Sequence, residues 1–90
     1  MDNAVDVAWN YASVNRNTLV VVTADHETGG LALIGGSLAD HTIEAKFSGG
    51  DHTAVMVPVF SFGPGAEKFS GIHENTIFLD EFLKILKIKI

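Results

Sequence analysis

The sequence predicts an α/β fold with a helix at each end and three to four strands between them. Three observations carry this expectation. Leu19, Val20, Val21 and Val22 form an unbroken apolar, mostly β-branched run, which is how a strand reads when both faces are covered, as in a parallel sheet between helices. Val5, Ala8, Trp9 and Ala12 near the start, and Phe78 or Leu79, Phe82 and Ile85 or Leu86 near the end, recur at helical spacing. Directly after the apolar run come Asp25-His26-Glu27 and then Gly29-Gly30, the position beyond a strand's carboxyl end where α/β sheets collect ligands.

The first helix is expected from a cap at Asp2 or Asn3 to about Val14, with Asn15 and Asn17 around Arg16 forming its exit turn. The Leu19–Val22 strand follows. Leu31 to Ile34 make a second short apolar run, closed by Gly35-Gly36-Ser37. Between Leu38 and Gly50 the residues His41, Ile43, Ala45 and Phe47 alternate with Thr42, Glu44 and Lys46, the mark of a half-exposed antiparallel strand. Gly49 to Thr53 form a turn that carries His52. Val55 to Phe62 are a third strong strand candidate, but Pro58 cannot donate to a ladder. That segment is therefore an edge strand, carries a bulge, or begins at Val59. Gly63-Pro64-Gly65 end it, and Glu74-Asn75-Thr76 open the last helix, whose acidic residues come early and lysines late, as the helix dipole favours.

Composition excludes several classes. Ninety residues, 47% of them hydrophobic, make one domain, 1–90. A net charge of -5 argues against nucleic acid as a main partner. No apolar run approaches the ~18 residues of a membrane span. The first ten residues lack a basic segment followed by an apolar core, so they do not read as a signal peptide. Without cysteine there is no disulfide, thiolate nucleophile or Cys-ligated zinc.

Four histidines remain, three of them after an aspartate: Asp25-His26, Asp40-His41 and Asp51-His52. His26 follows a buried strand and His52 sits in a glycine-flanked turn before another apolar run. His41 opens the half-exposed segment and reads as a surface residue, and His73 as a loop residue. Carboxylate plus imidazole is a common zinc ligand set. An Asp-His pair at a strand end is also an ordinary loop that hydrogen-bonds its own backbone. The local residues alone leave both readings open.

Two motifs in order decide between them. T-L-V-V-V-T-A-D-H-E-T-G-G, followed by G-G-D-H-T-A-V-M-V-P-V-F-S-F-G-P-G-A, resembles the C-terminal part of bacterial alkaline phosphatases, from the first helix to about Asn75-Thr76. The resemblance implies part of an alkaline-phosphatase-like α/β/α sandwich, with residues 1–90 a C-terminal fragment of that domain. It implies that Asp25 and His26 bind the zinc nearest the nucleophile, and that His52 binds the other zinc. Enzymes of this family hydrolyse phosphate monoesters through a phosphoserine, with two Zn²⁺ and usually one Mg²⁺. A periplasmic or extracellular location also follows only from the resemblance. Asp51 and Glu27 are not carried over as ligands.

The departures weigh as much as the match. None of Ser13, Ser37, Ser48, Ser61 or Ser70 has the Asp-Ser-Ala setting of the family's nucleophile, so no catalytic residue is assigned. The Asp-x-x-x-His ligand helix, the aspartate shared between metals, the magnesium glutamate and the phosphate-gripping arginine are all missing; Arg16 is the only arginine. The chain is expected to supply some zinc ligands, to be inactive alone, and to self-associate through uncovered apolar surface. Two alternatives compete: a related phosphodiesterase or sulfatase-type hydrolase, and a non-catalytic fragment or interaction module whose Asp-His pairs are structural.

Overall fold

A computed structural model describes residues 1–89. The elements run α1 (Asp2–Val14), β1 (Val20–Val22), β2 (Ala32–Ser37), β3 (Thr42–Lys46), β4 (Phe60–Phe62), a 3₁₀ turn (Ala66–Phe69) and α2 (Ile77–Ile85). Two helices and four strands match the α/β expectation. They form two compact units, one of Met1–Thr23 with Pro58–Ile90 and one of Ala24–Val57.

In the first unit, α1 buries Ala12 and sets the ring of Trp9 against Phe62, with centroids 4.1 Å apart. This is the face the helical spacing selects. The cap differs: Met1, not Asp2 or Asn3, is the N-cap and makes no side-chain cap bond. Asp2 lies instead in the first turn, where its charge faces the positive end of the dipole. Asn15 closes the helix, its backbone N–H and its side-chain amide both donating to the Tyr11 carbonyl.

β1 pairs with β4 in antiparallel register, Val20 opposite Phe62, Val21 opposite Ser61 and Val22 opposite Phe60. The parallel pairing expected of an all-apolar strand is thus not the one seen among the described residues. β1 is half-buried at all three positions; an apolar run reports how much of a strand wants covering and is silent on its partner's direction. β4 starts only at Phe60, past Pro58, whose carbonyl accepts a bond from the Thr23 hydroxyl at 3.0 Å. The strand candidate at Val55–Phe62 therefore shrinks to its last three residues, as the missing proline N–H requires.

Phe69 is the core of this unit. It is 3% exposed, and its ring lies 5.7 Å from Phe78 and 5.5 Å from Phe82 on α2. The 3₁₀ turn that delivers it lies beyond Gly63-Pro64-Gly65 and has no apolar periodicity to announce it. The chain leaves α2 through a Schellman-type turn. The Ile88 N–H bonds the Leu83 carbonyl, the Lys87 N–H bonds Lys84, and Lys87 takes a left-handed φ of 56°.

The second unit is built on the β2–β3 hairpin, paired from Ala32–Lys46 to Ser37–Thr42 with an irregularity between Leu33 and Gly35. β2 runs through Gly35 and Gly36 rather than stopping at them. A Cβ on Gly36 would collide with the Thr42 carbonyl of β3, so the glycine permits close backbone approach inside the ladder. The turn ends on His41, at a left-handed φ of 54°, a conformation histidine tolerates better than most side chains. Every residue of β3 is exposed, where alternation predicted one covered face. Strand periodicity names the face to be covered, and in this unit nothing lies over it.

Candidate metal centre

Thr23 follows β1, and the chain turns through Asp25-His26-Glu27 into the glycines. The Asp25 side chain turns back on its own backbone, its Oδ1 accepting the His26 N–H at 3.0 Å. That bond is the ordinary use of an aspartate in a turn, and here it also places Oδ2 3.5 Å from His26 Nε2.

The other imidazole nitrogen decides the tautomer. His26 Nδ1 lies 2.9 Å from the Glu27 carbonyl oxygen. A carbonyl only accepts, so Nδ1 carries a proton, and in the neutral imidazole Nε2 presents its lone pair toward Asp25. Two acceptors then face each other across 3.5 Å, an arrangement that a cation between them relieves. Two ligands at about 2.1 Å on a tetrahedral zinc are about 3.4 Å apart, close to the separation found here. The Nδ1–carbonyl bond is also the support that orients metal-bound histidines. The donor pair therefore fits a zinc ion.

His52 joins this pair from across the loop. Its ring centroid lies 3.5 Å from that of His26, with the planes tilted by 35°. Backbone bonds bring the two turns together: the Gly29 N–H reaches the Asp51 carbonyl at 2.7 Å, and the Gly29 carbonyl accepts from Ser48 and Gly49 at 2.8 and 3.1 Å. Gly29 and Gly30 both have positive φ, 78° and 59°. A Cβ on Gly29 would stand 2.6 Å from the Phe47 ring, so this crossing needs glycine on two counts. The arrangement is open: the His26 side chain is 36% and that of Asp25 88% exposed. Among the described residues no three His, Asp or Glu side chains gather around one point as a metal group. Asp25 and His26 form a two-donor edge with His52 beside it.

Glu27 is the participant that residue patterns left aside. Its Oε2 accepts the Gly30 N–H at 2.7 Å, while Oε1 is shut off from solvent with no hydrogen-bond partner. Thr53, beside it, is the main cause holding its carboxyl below the usual range, against the opposing effect of burial; the Gly30 N–H and His26 add to the lowering. Glu27, Gly30, Ser48 and Thr53 line one cleft of this unit. A carboxylate two residues past Asp25 and three before Gly30 was the available signal.

His41 lies in the β2–β3 turn, and in the other unit His73 sits beside the Ser70 carbonyl, a turn and a loop position as their contexts predicted. Three serine hydroxyls donate to backbone carbonyls: Ser13 to Trp9, Ser61 to Ala66 and Ser48 to Gly29.

No protein-family model matches the chain. Over 37 residues, 41% of this chain and 8% of the relative, it is 51% identical to alkaline phosphatase 4 of Bacillus subtilis (strain 168). Among solved structures it superposes on the alkaline phosphatase of the Antarctic bacterium TAB5 with a TM-score of 0.88 and 41% identity, covering 99% of this chain and 28% of that one. Two mutants of that enzyme, with a histidine replaced by glutamate or aspartate and magnesium bound, give TM-scores of 0.86 at 39% identity. The chain thus spans about a quarter of the length of the solved structures it resembles.

Proposed function

We propose that this chain, which resembles bacterial alkaline phosphatases in sequence and fold along 99% of its length, supplies part of the zinc ligands of a phosphate monoester hydrolase. In this reading residues 1–90 act as one C-terminal piece of that domain. Asp25 and His26 hold one zinc, and His52 contributes to the other. The single observation that supports it is the Asp25 Oδ2–His26 Nε2 separation of 3.5 Å, with His26 Nδ1 bonded to a carbonyl.

The chain's own residues have defined tasks. The Glu27 carbonyl fixes the His26 tautomer, the Asp25–His26 backbone bond holds the carboxylate in place, and the Gly29–Asp51 bond carries His52 to the same spot. Zinc held by Asp25 and His26 would, with a second zinc to which His52 contributes and a Mg²⁺, supply nucleophile activation and leaving-oxygen stabilisation for an in-line displacement. The nucleophilic serine is not among these residues, so the isolated chain binds metal without turning over substrate. A periplasmic or extracellular setting belongs to the same reading. No helix of the described residues is long and apolar enough to cross a membrane.

Uncovered apolar side chains support association. Leu33, Ile34, Ile43 and Phe47 of the hairpin unit are between 59% and 73% exposed, more than a free hairpin face sustains in water. Self-association is expected, and sedimentation giving a clean monomer at high concentration would sink it.

The deciding experiment is hydrolysis of a chromogenic phosphate monoester at alkaline pH with Zn²⁺ and Mg²⁺, beside His26→Ala. No turnover in either, with zinc bound by the unaltered chain alone, is the expected result. Turnover abolished by His26→Ala would mean that a serine of this chain is the nucleophile. Equal zinc binding by both would return the Asp-His pairs to structural roles.

A further inference from the structure

We propose that Glu27 is the positioning residue of the His26–His52 pair, acting through its reach to the Gly30 N–H rather than as a ligand. Three connected contacts carry the inference. Glu27 Oε2 takes the Gly30 N–H at 2.7 Å, closing the loop that begins at His26. The adjacent Gly29 N–H takes the Asp51 carbonyl at 2.7 Å, one residue before His52. The outcome is two rings in contact at a centroid distance of 3.5 Å. Gly29 and Gly30 sit at successive positive φ values, a backbone state that an unbraced pair of glycines leaves readily. The carboxylate is the only side chain among the described residues that hydrogen-bonds the Gly30 N–H.

The second carboxylate oxygen points the same way. Oε1 is sealed from water and unpartnered, an arrangement that persists only where the surrounding contacts hold the side chain. Nothing about Oε1 serves a ligand in the open: the oxygen facing the loop does the bonding, and the enclosed one is the consequence. Thr53, next to His52, lines the same cleft, so the side chain is lodged between the two turns it connects.

The consequence for zinc rests on the metal reading above; the consequence for the rings does not. The test compares Glu27→Gln, which keeps the reach and the acceptor without the charge, with Glu27→Asp, which keeps the charge and shortens the reach. On the metal-free chain, proton NMR reads cross-ring contacts between His26 and His52 and the exchange rate of the Gly30 amide. Calorimetry with Zn²⁺ alone reads affinity, and melting reads stability. Glu27→Gln should keep the ring contacts, the Gly30 protection and the affinity to within a few-fold. Glu27→Asp should lose the ring contacts, speed Gly30 exchange and weaken zinc about 10- to 100-fold, the usual effect of removing a supporting residue. The reverse order, an equal loss in both, or no loss in either overturns the proposal. If the unaltered chain binds no zinc, the metal reading fails while the ring contacts and the Gly30 exchange still decide this one.

Discussion

His26 and His52, far apart in sequence, lie with ring centroids 3.5 Å apart because the Gly29 N–H bonds the carbonyl of Asp51. The pairing is a backbone product: two turns cross, one three residues after His26 and the other directly before His52. Removing either imidazole should therefore weaken zinc about tenfold or more while leaving the hairpin intact. Calorimetric titration of His26→Ala and His52→Ala, with circular dichroism as the folding control, checks this. An unchanged affinity in both would remove the metal role.

The crossing itself depends on Gly29. A Cβ there meets the Phe47 ring at 2.6 Å and forces a side chain into a φ of 78°. Gly29→Ala should destabilise the Ala24–Val57 unit by about 1–3 kcal/mol, measured by urea unfolding. A smaller loss would mean that Phe47, itself exposed, swings aside without cost.

Acid should lower the stability of the fold through Glu27. Thr53, Gly30 and His26 hold the Glu27 carboxyl below the usual carboxylate range. A lowered folded-state value stabilises the fold above the unfolded pKa, and that contribution is lost as the pH falls through the folded one. Glu27→Gln, which does not titrate, should show a shallower fall in melting temperature below pH 4.5 than the unaltered chain. Parallel curves would deny Glu27 any part in the acid response.

Phe69→Ala should be the costliest apolar truncation in the chain. The ring is 3% exposed and packs on Phe78 and Phe82, so its loss leaves a cavity between the 3₁₀ turn and α2, worth about 3–5 kcal/mol. Trp9, 48% exposed over Phe62, should cost less when truncated, about 1–2 kcal/mol. Chemical denaturation of the two variants gives the order, and a reversal would place the core under α1 instead.

Both helices, the strand at Thr42–Lys46 and an interruption at Pro58 were legible from periodicity and from the proline, because those signals act locally on the backbone. The pairing of β2 with β3 and the shortening of the last strand to Phe60–Phe62 were not. The family-level likeness was legible too, from Asp25-His26 and Gly50-Asp51-His52-Thr53 standing in order. The 3₁₀ turn and Phe69 were not, since burial of a single aromatic depends on what α2 brings to it. Met1 as N-cap was missed because Asp2 serves equally well one position on, in the first turn.

By itself the sequence indicated the order of helices and strands, offered the Asp-His pairs as candidate metal ligands, and placed glycines beside them. Tertiary structure alone decided that β1 runs antiparallel to β4, that the glycines of β2 lie inside the ladder, and that His26 and His52 touch. It also singled out Glu27 as the brace between their turns. The reason is physical: propensity and hydrophobic period are properties of neighbouring residues, whereas strand direction, ring contact and a sealed carboxylate oxygen depend on backbone groups that the chain brings together only by folding.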